Sequence, residues 1–199
     1  SKSSLSLTAV VGIVRSPALL PVVMVCLGAS VFAGMNNFQT VFAEERGLNY
    51  ATYFLTYTIT VVLFRIVLVR FTGGNAPYRT IALLQYVMAA SIVLFIYIAG
   101  DKTLYFSVAV LFGIGYGVSY PILVAMAAND ADEGLVPQTL QLFALTYFVG
   151  IFGFPLIAGW MIVELGTPTL LWLVFGLAVV EASLALRRAL RRPVKEAAQ

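Results

Sequence analysis

Between Leu104 and Val163 the chain reads LYFSVAVLFGIGYGVSYPILVAMAANDADEGLVPQTLQLFALTYFVGIFGFPLIAGWMIV, two apolar runs joined by a short acidic turn. Each run exceeds the roughly 20 residues a helix needs, at about 1.5 Å per residue, to cross about 30 Å of hydrocarbon. The pair predicts a membrane hairpin. Gly113, Gly115 and Gly117 precede Pro121, and Gly150, Gly153 and Gly159 surround Pro155. In water such residues break a helix. Between membrane helices they let backbones approach, and neighbouring groups re-satisfy the hydrogen bonds that proline frees. Gly113, Gly117, Pro121, Gly150, Gly153, Pro155 and Gly159 are therefore read as helix-packing positions.

The rest of the chain obeys the same constraint. Of its residues 61% are hydrophobic and 11% charged, with a mean hydropathy of +0.95. A soluble domain carries charge on about a quarter of its residues. The expected class is an all-α integral membrane protein, with membrane lipids as its first partners. There is no histidine, Cys26 is the single cysteine, and no phosphate-binding glycine loop or Cys/His cluster occurs. That pattern predicts no metal, no cofactor, no nucleic-acid partner and no enzymatic activity. The start lacks both an initiator Met and a signal-peptide cleavage site, which predicts a processed, cut or trimmed chain.

Six spans are expected, at about 17–43, 51–71, 78–99, 104–128, 137–163 and 169–186. An amphipathic lead-in, 1–16, comes before them and a basic tail, 187–199, follows. Six crossings place both ends on one side. Lys2, Arg15, Arg70, Arg79, Arg187, Arg188, Arg191, Arg192 and Lys195 fall on that side, against Arg46 and Lys102 on the other. The positive-inside rule makes the terminal side cytoplasmic, in a bacterial inner (plasma) membrane. Trp160 and Trp172, flanking the turn ELGTP, suit an aromatic belt at the opposite interface.

Polar side chains inside hydrocarbon must face protein or water, so they mark what each span lines. The first span carries Asn36 and Asn37, the second Tyr53, Tyr57 and Arg65, the fourth Tyr116 and Tyr120, the fifth Gln141 and Tyr147. These eight uncharged side chains are the substrate-cavity candidates; the same groups can equally bond neighbouring helices. The third and sixth spans are expected to face lipid. Tyr50, Tyr78 and Tyr105 sit at span ends and are read as interface anchors, and Glu181 as a boundary residue near Arg187 and Arg188. Arg65 lies about 7 Å along its helix from Arg70, close enough to snorkel to the headgroups.

Three segments together resemble the C-terminal six-helix half of a major facilitator superfamily (MFS) transporter. GIGYGVSYP is similar to that half's fourth helix and YFVGIFGFPLIAG to its fifth, with Phe154 where a second glycine often stands. FRIVLVRFTGGNAPYR resembles a worn copy of the family's loop signature, keeping Arg65, Arg70 and Arg79 but lacking its Asp and preceding Gly. The resemblance implies a 3+3 inverted-repeat bundle whose first, second, fourth and fifth helices line a central cavity, with a second half opposite. It also implies a charge network at the cytoplasmic gate, from Arg65, Arg70 and Arg79 to Asp130, Asp132 and Glu133. The expected function is half of a secondary transporter moving an unidentified small solute by alternating access, partnered by a second six-helix half or another membrane subunit. The alternative is a transporter-like subunit or scaffold that packs into a larger complex without transporting.

Overall fold

The described residues of the computed structural model are 5–68, 70–71 and 73–191; Lys2, Arg192, Lys195 and the end of the tail lie outside them. Among the described residues the chain is 84% helical with no strands. The helices are α1 (Leu7–Arg15), α2 (Leu19–Asn36), α3 (Gln39–Glu45), α4 (Tyr50–Val67), α5 (Pro77–Tyr97), α6 (Lys102–Asn129), α7 (Val136–Phe148), α8 (Phe154–Leu165) and α9 (Thr167–Leu190). α2, α4, α5, α6, the pair α7–α8 and α9 are long and apolar enough to cross a membrane. This is an integral, multi-pass membrane protein.

Local chemistry starts most of the helices. Asn49 accepts a bond from the Ala51 N–H at 2.9 Å to open α4. Asp101 accepts from Thr103 and Leu104 at 2.8 and 3.0 Å to open α6. These are the donors that a helix start leaves without an intrahelical partner. α5, α7, α8 and α9 each have proline in the first turn, where its missing N–H is harmless. Gly100 sits at φ +91, and a Cβ there would stand 2.9 Å from the Arg46 carbonyl oxygen, so that turn admits only glycine comfortably.

Two spans are not the single helices expected. The stretch 17–43 breaks at Asn37 and Phe38, whose φ of −109 and ψ of 12 leave the helical region. Gln39, the first residue of α3, then turns inward and accepts a bond from the Tyr105 hydroxyl at 2.8 Å. In 137–163 the helix widens into a π turn, Val149–Gly153, just before Pro155. Proline deletes one donor of the ladder, and a wide turn is one way a helix absorbs that loss.

α2 and α6 form the centre, with 67% and 61% of their membrane windows buried. α5 packs along α6 and α9, α2 along α9 and α7–α8, and α4 lies on α6. The expectation that the third and sixth spans are the outermost needs qualifying. Within this chain α4 and α7–α8 are the least covered, with 22% of each window buried, against 44% for α5 and 39% for α9. Of the packing positions, a Cβ on Gly117 would meet Val61 at 2.8 Å and one on Gly150 the Cys26 carbonyl oxygen at 2.6 Å, while Gly113 faces Thr60 at 3.2 Å. Gly153 and Gly159 face open space. A Cβ on Gly115 would stand 2.7 Å from the Leu84 carbonyl oxygen on α5.

Contacts identify the bundle's two ends. At one, the Tyr78 hydroxyl donates to Asp130 at 2.5 Å, and Arg188 lies 3.6 Å from the same carboxylate. At the other, the Thr167 hydroxyl donates to Glu45 at 2.7 Å. There the Arg46 guanidinium lies 4.8 Å from the centre of the Phe95 ring. Burial pulls that guanidinium below its ordinary value, and the neighbouring Glu45 opposes the shift.

Candidate functional site

An aromatic strip crosses from α4 over α2 and α6 to α7. Tyr53 and Tyr57 stack at 6.2 Å, Tyr57 meets Phe32 at 6.0 Å, and Phe32 stacks on Tyr116 at 4.8 Å. Tyr116 continues to Tyr120 at 6.4 Å, and Tyr120 to Tyr147 at 5.5 Å. One helical turn from Phe32, Asn36 donates from Nδ2 to the Phe32 carbonyl at 3.0 Å, while its Oδ1 is buried without a partner. Six of the eight cavity candidates, Asn36, Tyr53, Tyr57, Tyr116, Tyr120 and Tyr147, therefore belong to one region. Asn37 is exposed at the end of α2, and Gln141 is exposed on α7, nearly two turns before Tyr147.

The strip grades from closed to open. Tyr53 is fully buried and its hydroxyl finds no partner; Tyr116 is 8% exposed; Tyr57, Tyr120 and Tyr147 are half-buried. Phenol rings and an amide can stack on a solute and hydrogen-bond it. No acid or base stands among them, so the arrangement is suited to binding.

Arg65 is exposed and borders a cavity of about 220 Å³ with Phe64, Leu68, Gly117 and Pro121. Arg70, Arg79, Asp132 and Glu133 are exposed. Among the described residues the acidic loop's ion pair runs from Asp130 to Arg188, which also lies 5.5 Å over the Tyr78 ring.

A solved structure of the POT family transporter PepTSo, crystallised in meso, resembles this arrangement with a TM-score of 0.72 at 18% identity. The likeness covers 85% of this chain and 36% of that one. The chain shares the fold of that structure over the matched residues. No family model matches its sequence, and no curated protein does. The chain thus spans about a third of the length of the transporter it resembles.

Within this bundle, three readings of polar residues need correcting. Glu181 is no boundary group: it is fully buried between α2, α5 and α9, where Gln85 Nε2 donates to its Oε1 at 2.6 Å. Tyr105 is no interface anchor, being 1% exposed and bonded to Gln39. Tyr78 is tied to Asp130 rather than to a headgroup layer, whereas Tyr50 is exposed as an anchor requires. For Glu181 a signal existed. Ala178, Ala182 and Ala185 are fully buried on the same helical face, and a small-residue stripe is where membrane helices approach closest.

Proposed function

We propose that this chain is the C-terminal half of an MFS-type secondary transporter that moves a small solute by alternating access. In this reading both termini lie on the cytoplasmic side of a bacterial inner membrane. The observation that carries it is the strip from Tyr53 to Tyr147, with half-buried hydroxyl-bearing rings on three different spans. Polar groups left against hydrocarbon are costly, so such a strip is expected to line a water-filled or solute-filled space. A second half opposite would complete that space. The likeness to a transporter more than twice as long supports this.

The test needs no knowledge of the solute. In a Cys26→Ser background, single cysteines replace Tyr57, Tyr120 or Tyr147, and the complete protein is labelled in its native membrane with an impermeant maleimide. Alternating access should make these positions reactive from both sides, in right-side-out cells and in inverted vesicles. Labelling from neither side at all three would sink the transport reading and favour a non-transporting subunit.

A further inference from the structure

A cavity of about 340 Å³ lies away from the aromatic strip, where the turn at Pro17 meets the last turns of α9. Leu20, Val23 and Leu184 form an apolar wall, and Arg187, Arg188 and Arg191 stand over it. We propose that this cavity holds one anionic glycerophospholipid, with its phosphate between the arginines and an acyl chain along the apolar wall.

Three observations carry the assignment. The first is charge. Arg187 and Arg191 stand four residues apart and so share a helical face. Among the described residues neither has an ion-pair partner, and no carboxylate lines the cavity. Arg188 is held in place by Asp130 and the Tyr78 ring, which fixes the back of the site. Guanidinium groups present donors in a fork that fits phosphate oxygens.

The second is the wall. Val23, which lines the cavity, is 40% exposed, and on the same last turns of α9 Leu186 and Leu190 are 36% and 74% exposed, so apolar surface lies on both helices that form the cavity. A free phosphate ion needs no such surface; a lipid tail does.

The third is depth. α1 exposes Leu7, Val11 and Val14, at spacings of four and three, while Ala9 and Ile13 turn inward. A short helix with that stripe lies in the boundary between headgroups and acyl chains. It ends at Arg15, two residues before Pro17. The cavity therefore opens at the depth where lipid phosphates lie, and basic pockets between membrane helices are a known form of anionic-lipid site.

The experiment is native mass spectrometry of the complete protein, released from detergent after equilibration with equal amounts of phosphatidylglycerol and phosphatidylcholine. Wild type should retain one phosphatidylglycerol in preference to phosphatidylcholine. Each lost guanidinium should weaken retention about fivefold, so R187Q/R191Q should weaken it roughly 30-fold, whereas R70Q/R79Q should leave it unchanged. R187K/R191K, which keeps the charge, should retain most of the binding. Val23→Trp, which fills the acyl groove without touching charge, should also expel the lipid. Added inorganic phosphate should not displace it. Equal retention of both lipids, equal loss in R70Q/R79Q, or displacement by phosphate together with an inert Val23→Trp would each overturn the proposal. The readout is lipid mass on folded protein and is separate from the cysteine labelling of the aromatic strip.

Discussion

At Gly28, α2 meets Glu181 so closely that a Cβ there would lie 2.8 and 3.1 Å from the two carboxylate oxygens. Two effects oppose each other in Gly28→Ala. Alanine favours a helix over glycine by about 1 kcal/mol, while overpacking a filled site costs typically about 1–3 kcal/mol. With Glu181 in place the second effect should win, and the thermal unfolding midpoint in detergent should fall. In Glu181→Ala, which has its own cost from the orphaned Gln85 amide, adding Gly28→Ala should be neutral or stabilising. In Glu181→Gln, which keeps the shape, it should still destabilise. An equal penalty in all three backgrounds would show that the carboxylate contact is not the cause. This pairing was not legible in the sequence, because Gly28 and Glu181 are 153 positions apart. The nearness of Arg187 and Arg188 instead suggested a snorkelling acid, and only the stripe of alanines pointed inward.

Among the elements, the second half of the Leu104–Val163 hairpin was only partly legible. Its glycines and Pro155 announced close packing and a bend, but they could not say which glycines face a neighbour. That depends on helix phase, which the π turn at Val149–Gly153 resets. Gly150 falls on the packed side, where its Cβ would stand 2.6 Å from the Cys26 carbonyl oxygen and 2.7 Å from Ala29 Cβ; Gly159 faces open space. The first obstacle is backbone and cannot rotate away. Gly150→Ala should therefore push the turn off α2 and cost on the order of 1–3 kcal/mol, whereas Gly159→Ala should cost nothing or gain about 1 kcal/mol from helix propensity. Thermal unfolding of the two variants side by side decides this; equal midpoints would show that the close approach between α2 and the π turn does not set the cost. The break at Asn37 was illegible for a related reason. Nothing in the run 17–43 after Pro21 marks Phe38 as a stop, and the Tyr105–Gln39 bond that follows the interruption joins residues 66 positions apart.

For the whole molecule, the count and order of spans were the most legible features, since hydropathy reports a solvent and not a contact. Orientation follows from the lysine and arginine bias. Cysteines at Lys102 and Glu164, exposed at one end, should react with an impermeant reagent from outside, and those at Asn75 and Glu133 should not; the reverse pattern would invert the protein. What covers α4 and α7–α8 is a separate matter. Their exposed Leu55, Ile59, Phe152 and Leu156 would be as comfortable in lipid as against protein, so exposed apolar area decides nothing. The half-buried tyrosines between them favour the proposed second half, because hydrocarbon offers their hydroxyls no partner. The expected consequence is that the isolated chain, purified and shown by cross-linking to be a monomer, takes up no solute when reconstituted into vesicles. A second half supplied with it should restore uptake, and cysteines at Ile59 and Phe152 should cross-link to that half. Saturable uptake by a demonstrable monomer would mean that this bundle closes a pathway by itself, and that the strip from Tyr53 to Tyr147 is one wall of nothing larger.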